Sequence, residues 1–99
     1  MRVIEYVTFS LTPDASEAAF LDAARATETL VRRQPGFVSR RLSKGEDGRW
    51  TDAVTWMTLA AAQAAPAAVM ADPDFHPFMA LIDGPSAQMR HETLALTLD

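Results

Sequence analysis

Two glycine-containing breaks in the first half of the sequence constrain the fold more than any other feature. The first, Gln34-Pro35-Gly36, ends a helix, because the residue before proline disfavours helical geometry and glycine permits a left-handed turn. The second, residues 44–48, combines glycine with acidic residues, as tight turns do. Residues 37–43 and 49–57 flank this turn with strand-forming sequence, so the spacing predicts a β-hairpin directly after a helix.

The residues before the first break predict a strand followed by a helix. Residues 2–11 are rich in Val, Ile, Tyr, Thr and Phe, which favour extended backbone. The helix is expected to begin after Asp14, whose carboxylate can cap the first turn together with Glu17 three residues later, and to run to Gln34. A set of mostly apolar residues recurs at helical spacing and forms one face: Phe20, Ala23, Ala24, Thr27, Leu30 and Val31.

After the hairpin the sequence predicts a second helix that is interrupted twice. Thr58 offers an N-cap hydroxyl, and an alanine-rich segment of high helix propensity follows it. We expect a kink or a restart at Pro66, because proline lacks a backbone donor. The segment DPDFHP, residues 72–77, breaks the chain again before a short helix at residues 78–83. Residues 89–98 predict a long final strand.

The resulting element order is β-α-β-β-α-β over one domain, residues 1–99. Right-handed crossovers place both helices on one face of a four-stranded antiparallel sheet, which is the ferredoxin-like α+β arrangement. Apolar side chains nevertheless occur at both parities of the strands, with Ile4 and Tyr6 opposite in parity to Val3 and Val7. The second face therefore needs a partner, and the simplest partner is the same face of another copy, so we expect a homodimer.

Composition excludes several classes of function. The chain has 99 residues, 48% hydrophobic residues and a net charge of −4, which disfavours a nucleic-acid-binding face. It has no cysteine, so disulfide frameworks and thiolate metal sites are excluded. The N-terminal segment is a poor signal peptide and too short to span a membrane. We therefore expect a cytoplasmic protein that binds neither nucleic acid nor membrane.

Four segments together resemble the antibiotic biosynthesis monooxygenase (ABM) domains of the dimeric α+β barrel superfamily. They are QPGFVSRRL, DGRW, VTWMTLAAAQAA and DFHPFMALI. In those domains a Pro-Gly-Phe turn leads into the second strand, and the third strand ends in a tryptophan followed two residues later by a Ser or Thr helix cap. Pro35-Gly36-Phe37, Trp56 and Thr58 match this pattern. The resemblance covers nearly the whole chain, rests on structural motifs and implies a dimeric α+β barrel.

The resemblance also implies a pocket between helices and sheet in each subunit. Some ABM-like proteins use it for cofactor-independent oxygenation of polyphenolic substrates, and others cleave haem. Many have a histidine about two turns after the tryptophan, where this chain has Ala64, Ala65 and Pro66. The haem-cleaving branch requires an asparagine in the first strand and a tryptophan and a histidine on the second helical segment. This sequence has no asparagine, and Val69 and Met79 align near those places, which argues against haem degradation.

The candidate catalytic residues are the two histidines and the single tyrosine. His91 lies in the predicted last strand, where a rigid sheet would hold a general base; the alternative is a half-buried or interfacial structural histidine. His76 lies between two prolines and two phenylalanines, and its alternative role is to start the short helix with Pro77 in the first helical position. Tyr6 is able to donate a hydrogen bond to a substrate oxygen, or to lie at an interface. We place His91 ahead of His76.

The candidate pocket residues are aromatic: Trp56, Phe75, Phe78 and Trp50. Packing in the core is the alternative for the two tryptophans, which share strand parity. The arginines that flank the Pro-Gly-Phe turn are interpreted as solvated charge, with anion binding as the alternative: Arg32, Arg33, Arg40 and Arg41. No histidine or carboxylate pattern has metal-ligand spacing, and no nucleotide fingerprint is present, so we predict neither a metal nor a tightly bound cofactor.

Two functions remain open from the sequence. The first is an ABM-like enzyme that acts on a small apolar or phenolic molecule, in which a base forms a carbanion-like substrate that reduces oxygen itself. The second is a non-catalytic dimeric module that binds a small ligand or stabilises a partner. A closed pocket with a histidine or tyrosine facing it would favour the enzyme. A collapsed cavity, or one with only apolar walls, would favour the binding module.

Overall fold

The computed structural model describes all residues from 1 to 99 as one antiparallel sheet with helices on one face. The strands are β1 (Val3–Phe9), β2 (Phe37–Lys44), β3 (Trp50–Trp56) and β4 (Gln88–Thr93). The helices are α1 (Glu17–Ala26), α2 (Glu28–Arg32), α3 (Leu59–Met70) and α4 (His76–Ala80), with short 3-10 turns at Pro73–Phe75 and Gly84–Ser86. The sheet order is β2-β3-β1-β4. This confirms the predicted ferredoxin-like α+β fold.

The first helical segment begins and divides at hydroxyl residues. Ser16, not Asp14, is the N-cap, and its hydroxyl accepts from the Ala19 backbone N–H. The prediction of Asp14 was wrong because the hydroxyl two residues later lies at the spacing a cap requires. The predicted single helix is also divided, at Thr27. This fully buried residue donates its hydroxyl to the Ala24 carbonyl at 2.6 Å and separates α1 from α2.

The second helical segment is interrupted at one place only. Thr58 caps α3 as predicted, since its side chain accepts from the Ala61 backbone N–H. The helix continues through Pro66 to Met70, so of the kink or restart expected at Pro66 the restart does not occur. The chain restarts instead at Asp72, whose carboxylate accepts from the Asp74 backbone N–H and opens the turn that leads into α4. None of the helices has the length and apolarity needed to cross a membrane.

The last strand is shorter than the predicted residues 89–98. Thr93 pairs with Val3, the first residue of β1, so the strand beside β4 has no further residues to continue the ladder. One more backbone bond forms, from the Leu94 N–H to the Arg2 carbonyl, and Leu96 and Leu98 are exposed. The end of β4 is therefore determined by where its neighbour begins.

The core has two parts, which share the helix-facing side of the sheet. The first lies under α3 and comprises Val3, Val54, Trp56, Ala62 and Ala65. The second lies under α1 and α4 and comprises Phe9, Phe20, Ala24, Trp50 and Phe78. The Phe20 ring contacts the rings of Phe9, Trp50 and Phe78 at centroid distances of 5.0–5.7 Å. The two clusters together hold α3 and α4 on the sheet.

We predict that Gly36→Ala destabilises the fold more than Gly48→Ala. Both glycines have a left-handed backbone, with φ of +82° and +84°. A Cβ at Gly36 would lie 2.6 Å from the Ala61 Cβ, whereas nothing lies within 4 Å of one at Gly48. The Gly48 variant should lose about 1–2 kcal/mol from backbone strain alone, and the Gly36 variant about 2–4 kcal/mol because overpacking is added. Urea denaturation of both variants measures the difference, and equal losses would contradict the proposed clash with α3.

Candidate active site

A cavity of about 370 Å³ lies between the sheet and helices α3 and α4. Of its 19 lining residues, 14 are hydrophobic, and this apolar wall includes residues from both core clusters. The polar exceptions are three charged residues from three different strands: Glu5, Arg40 and Asp52. A volume of this size and an apolar wall with few polar groups are typical of sites for small organic molecules.

The charged residues belong to rows that run across the sheet. Arg40 of β2 pairs with Val54 of β3, Val54 pairs with Glu5 of β1, and Glu5 pairs with His91 of β4. Asp52 lies in the next row, opposite Val7. Each strand of the sheet thus contributes one residue to the row that contains Glu5, on the side that faces the helices.

Glu5, which lines the cavity, forms a hydrogen-bonded pair with His91 of the neighbouring strand. The His91 Nε2 lies 3.1 Å from the Glu5 Oε2. The Glu5 side chain is 9% exposed and that of His91 is 27% exposed, so the pair connects the cavity to solvent. Burial raises the pKa of the Glu5 carboxyl above its ordinary value; the hydrogen bond and charge of His91 lower it, and the charge of Asp52 raises it. The arrangement has the parts of a general base: a buried carboxyl and a histidine that orients it.

A salt bridge lies at the β2 end of the row, between Arg40 and Asp52 of the next row. Arg40 donates to both carboxylate oxygens of Asp52, at 3.0 Å from Nε and 2.7 Å from Nη2. Its Nη1 donates to the Thr27 hydroxyl at 2.8 Å, which in turn donates to the Ala24 carbonyl. The guanidinium also lies 5.3 Å from the centroid of the Phe78 ring. These contacts hold the guanidinium in one orientation on the cavity wall.

The raised pKa of Glu5 predicts how its contribution to stability changes with pH. Below the ordinary value of 4.5 the carboxyl is protonated in both folded and unfolded chains. Between that value and the higher pKa of the folded state, the unfolded chain has lost this proton while the folded chain keeps it. Raising the pH through this interval therefore lowers the free energy of unfolding. Wild type should therefore lose stability relative to Glu5→Gln as pH increases from about 4.5. Urea denaturation of both proteins at several pH values measures this, and a constant difference would contradict the prediction.

The three residues predicted from sequence to transfer protons lie in different places relative to the cavity. His91 contacts the cavity through Glu5. His76 is exposed at the start of α4, where its Nε2 lies 3.2 Å from the Met70 carbonyl at the end of α3, and it does not line the cavity. Tyr6 has the opposite strand parity from Glu5, and its ring lies on the uncovered face of the sheet, 4.3 Å from the Arg90 guanidinium. The structure does not bring His76 or Tyr6 to the cavity.

The aromatic candidates divide in a similar way. Trp56, Phe75 and Phe78 line the cavity. Trp50 lies in the core instead, with its ring 5.0 Å from that of Phe20. The buried Nε1 of Trp56 has no hydrogen-bond partner.

Sequence reasoning missed Glu5, Asp52 and the inward role of Arg40. The available signal was strand parity. Glu5 has the same parity as Val3 and Val7, and Asp52 has the same parity as Trp50 and Val54, so both carboxylates are expected on the apolar face of the sheet. A carboxylate at a core position of a strand needs a partner or a function. No group of three or more His, Cys, Asp or Glu side chains is arranged to hold a metal ion.

Comparison with known proteins identifies the fold. No protein-family model matches the sequence, and no curated protein matches it. Among solved structures, a protein from Bordetella bronchiseptica provisionally named an antibiotic biosynthesis monooxygenase superposes with a TM-score of 0.82 at 18% identity, covering 96% of this chain and 98% of that one. A protein from Nitrosomonas europaea with the same provisional name gives 0.69 at 18% identity, covering 92% and 88%.

A third similar structure has a stated activity. SnoaB, a cofactor-independent oxygenase from Streptomyces nogalater, superposes with a TM-score of 0.73 at 23% identity, covering 98% of this chain and 96% of SnoaB. An Asn→Ala variant of SnoaB has also been solved, whereas this chain contains no asparagine. The chain therefore has the fold of ABM-type proteins over almost its whole length, and the resemblance predicted from sequence is confirmed for the fold.

Proposed function

We propose that this chain is an ABM-like enzyme that oxygenates a small, mostly apolar molecule without a bound cofactor. The observation that carries the proposal is the Glu5–His91 pair, in which a buried carboxyl on the wall of a mostly apolar cavity is hydrogen-bonded to a histidine. The likeness to a fold that includes a cofactor-independent oxygenase supports the reaction class. A buried base beside an apolar substrate is what such a reaction requires from the protein.

The first step is proton transfer from an activated C–H or O–H group of the substrate to Glu5. A raised carboxyl pKa makes Glu5 a stronger base than an exposed glutamate, and burial removes competing water. His91 orients the carboxylate and, being partly exposed, passes the proton toward solvent. The electron-rich substrate then reduces molecular oxygen. For a CH2 group between conjugated systems, one oxygen atom becomes the carbonyl of the product, and the other leaves as water with the two hydrogens.

Oxygen uptake with anthrone tests this proposal, because its CH2 group is flanked by two aromatic rings and its product, anthraquinone, is measured by absorbance. The wild-type protein should consume one O2 per anthraquinone formed. His91→Ala should lower the rate by about tenfold or more, because Glu5 loses its orienting partner. His76→Ala should keep the wild-type rate, because His76 is exposed and does not line the cavity. Absence of protein-dependent oxygen uptake with anthrone and related hydroxylated compounds would contradict the proposal.

A binding module is the second candidate, and one observation favours it. No histidine or tyrosine is among the residues that line the cavity, and His91 acts there only through Glu5. In a module that only binds a ligand, ligand affinity would depend on the apolar wall, and no product would form. Tight binding of anthrone without oxygen uptake is the result that separates this candidate from the enzyme.

Our proposal also includes a homodimer formed through the uncovered sheet face. No helix packs on this face, which presents Ile4, Tyr6 and Ala53 among threonines and charged side chains. Light scattering at micromolar concentration should give twice the mass of one chain. Ala53→Arg should reduce that mass to one chain, whereas Ala64→Arg on the exposed side of α3 should not. A monomeric wild-type protein would contradict the dimer.

A further inference from the structure

The guanidinium of Arg40 is held on the cavity wall with part of its donor capacity unused. Its three hydrogen bonds go to Asp52 and Thr27, through Nε, Nη1 and Nη2. A guanidinium has five N–H donors, so one donor on each terminal nitrogen has no partner in the protein. The side chain is 13% exposed, and it lines the same cavity as Glu5. A largely buried cation with unused donors on the wall of a mostly apolar cavity is suited to a ligand oxygen.

The sheet register fixes the distance over which a ligand would have to extend. Arg40 and Glu5 lie in one row with Val54 between them, so their strands are two interstrand spacings apart. At about 4.8 Å per spacing, their backbones are roughly 10 Å apart. Val54 provides an apolar floor between the two polar groups and also lines the cavity. A flat ring system lying over Val54 would have Glu5 at one end and Arg40 at the other.

We propose that Arg40 determines specificity by binding the carbonyl oxygen of a conjugated molecule whose acidic hydrogen faces Glu5. This inference rests on the proposed function and names the substrate class: flat molecules in which the acidic group and a carbonyl are conjugated across the ring. When the proton passes to Glu5, the electron pair of the broken C–H or O–H bond delocalises to that carbonyl oxygen. Arg40 then stabilises the negative charge where it develops.

Asp52 has a defined part in this arrangement. It fixes the guanidinium with two hydrogen bonds, and Thr27 with a third, so no reorientation is needed when charge develops on the ligand. Its negative charge also balances that of Arg40.

Binding of three matched probes tests the inference without requiring turnover. The probes are 4-hydroxy-1-naphthaldehyde, which has a hydroxyl conjugated to a carbonyl across the ring, 1-naphthol, which lacks the carbonyl, and 1-naphthaldehyde, which lacks the hydroxyl. The wild-type protein should bind the first probe about ten- to a hundredfold more tightly than 1-naphthol, since the added bond has a charged donor. Calorimetry or fluorescence titration gives the three dissociation constants.

The double variant with Arg40→Met and Asp52→Leu removes both charges and leaves no unpaired ion, so it is expected to fold. It should bind 1-naphthol as wild type does and lose the preference for 4-hydroxy-1-naphthaldehyde. Arg40→Lys, which keeps the charge but not the planar fork, should keep part of that preference.

Two outcomes would overturn the inference: equal affinities for the first two probes in wild type, or an unchanged preference in the double variant. Failure of the wild-type protein to bind any of the three probes would instead contradict the proposed function, because its apolar cavity would then not accept aromatic molecules. Equal weakening of all three probes in the double variant would show that Arg40 only supports the shape of the cavity, and would also overturn the inference.

Discussion

Glu5→Gln should lower the turnover number by about two to four orders of magnitude, the range associated with loss of a general base. Glutamine has nearly the same shape and can still hydrogen-bond to His91, so the cavity and the fold should be retained. Because the ground-state contacts with an apolar substrate are unchanged, KM should change little. Steady-state oxygen uptake with anthrone, measured alongside the affinity of the variant for 1-naphthol, separates catalysis from binding.

The matched control is Glu46→Gln, which removes the same charge from an exposed position in the turn between β2 and β3. This variant should retain the wild-type rate. A Glu5→Gln protein that folds, binds 1-naphthol and turns over at the wild-type rate would show that Glu5 is not the base. The remaining candidate would then be His91 acting directly, and His91→Ala would lower the rate more than Glu5→Gln.

Much of the fold was predictable because local chemistry determines it. The turn at Gly36 needs a left-handed residue, and it adopts φ +82° in the structure. Thr58 caps α3, and the hairpin forms between the segments that flank residues 44–48. These are interactions between residues a few positions apart, and their preferences can be read from sequence. The error at Ser16 concerns the choice between two neighbouring residues that suit the same role, whereas the break at Thr27 was not predicted.

The site was less predictable because it depends on register between distant strands. Glu5 and His91 are separated by 86 residues, and only the antiparallel pairing of β1 with β4 brings them together. A shift of one residue in that pairing would turn His91 to the uncovered face. Tyr6 and Glu5 are adjacent in sequence, yet one faces Arg90 and the other faces the cavity. Composition and motif spacing do not determine such a pairing.

The two hydrogen-bonded pairs on the helix-facing side of the sheet differ in what they contribute. Glu5 and His91 leave the carboxyl with a raised pKa, which costs stability as pH rises and gives the cavity a base. Arg40 and Asp52 are joined by two hydrogen bonds, and their side chains are only 13% and 12% exposed. We therefore expect that substitutions in the Arg40–Asp52 pair can change ligand recognition without an equal change in the free energy of unfolding.

Arg40→Met alone should lower the free energy of unfolding by about 3–5 kcal/mol, because it leaves the Asp52 carboxylate buried without a partner. Asp52→Leu alone should also destabilise, although less, because Arg40 keeps its hydrogen bond to Thr27 and the Phe78 ring. The double variant should recover most of the loss, since an apolar pair of similar volume often replaces a buried ion pair at little cost.

Urea denaturation of the wild type, the two single variants and the double variant gives the coupling energy directly. Additive losses would mean that the two charges are solvated separately. A recovered double variant that no longer distinguishes 4-hydroxy-1-naphthaldehyde from 1-naphthol would show that the pair serves recognition, because stability alone does not require it.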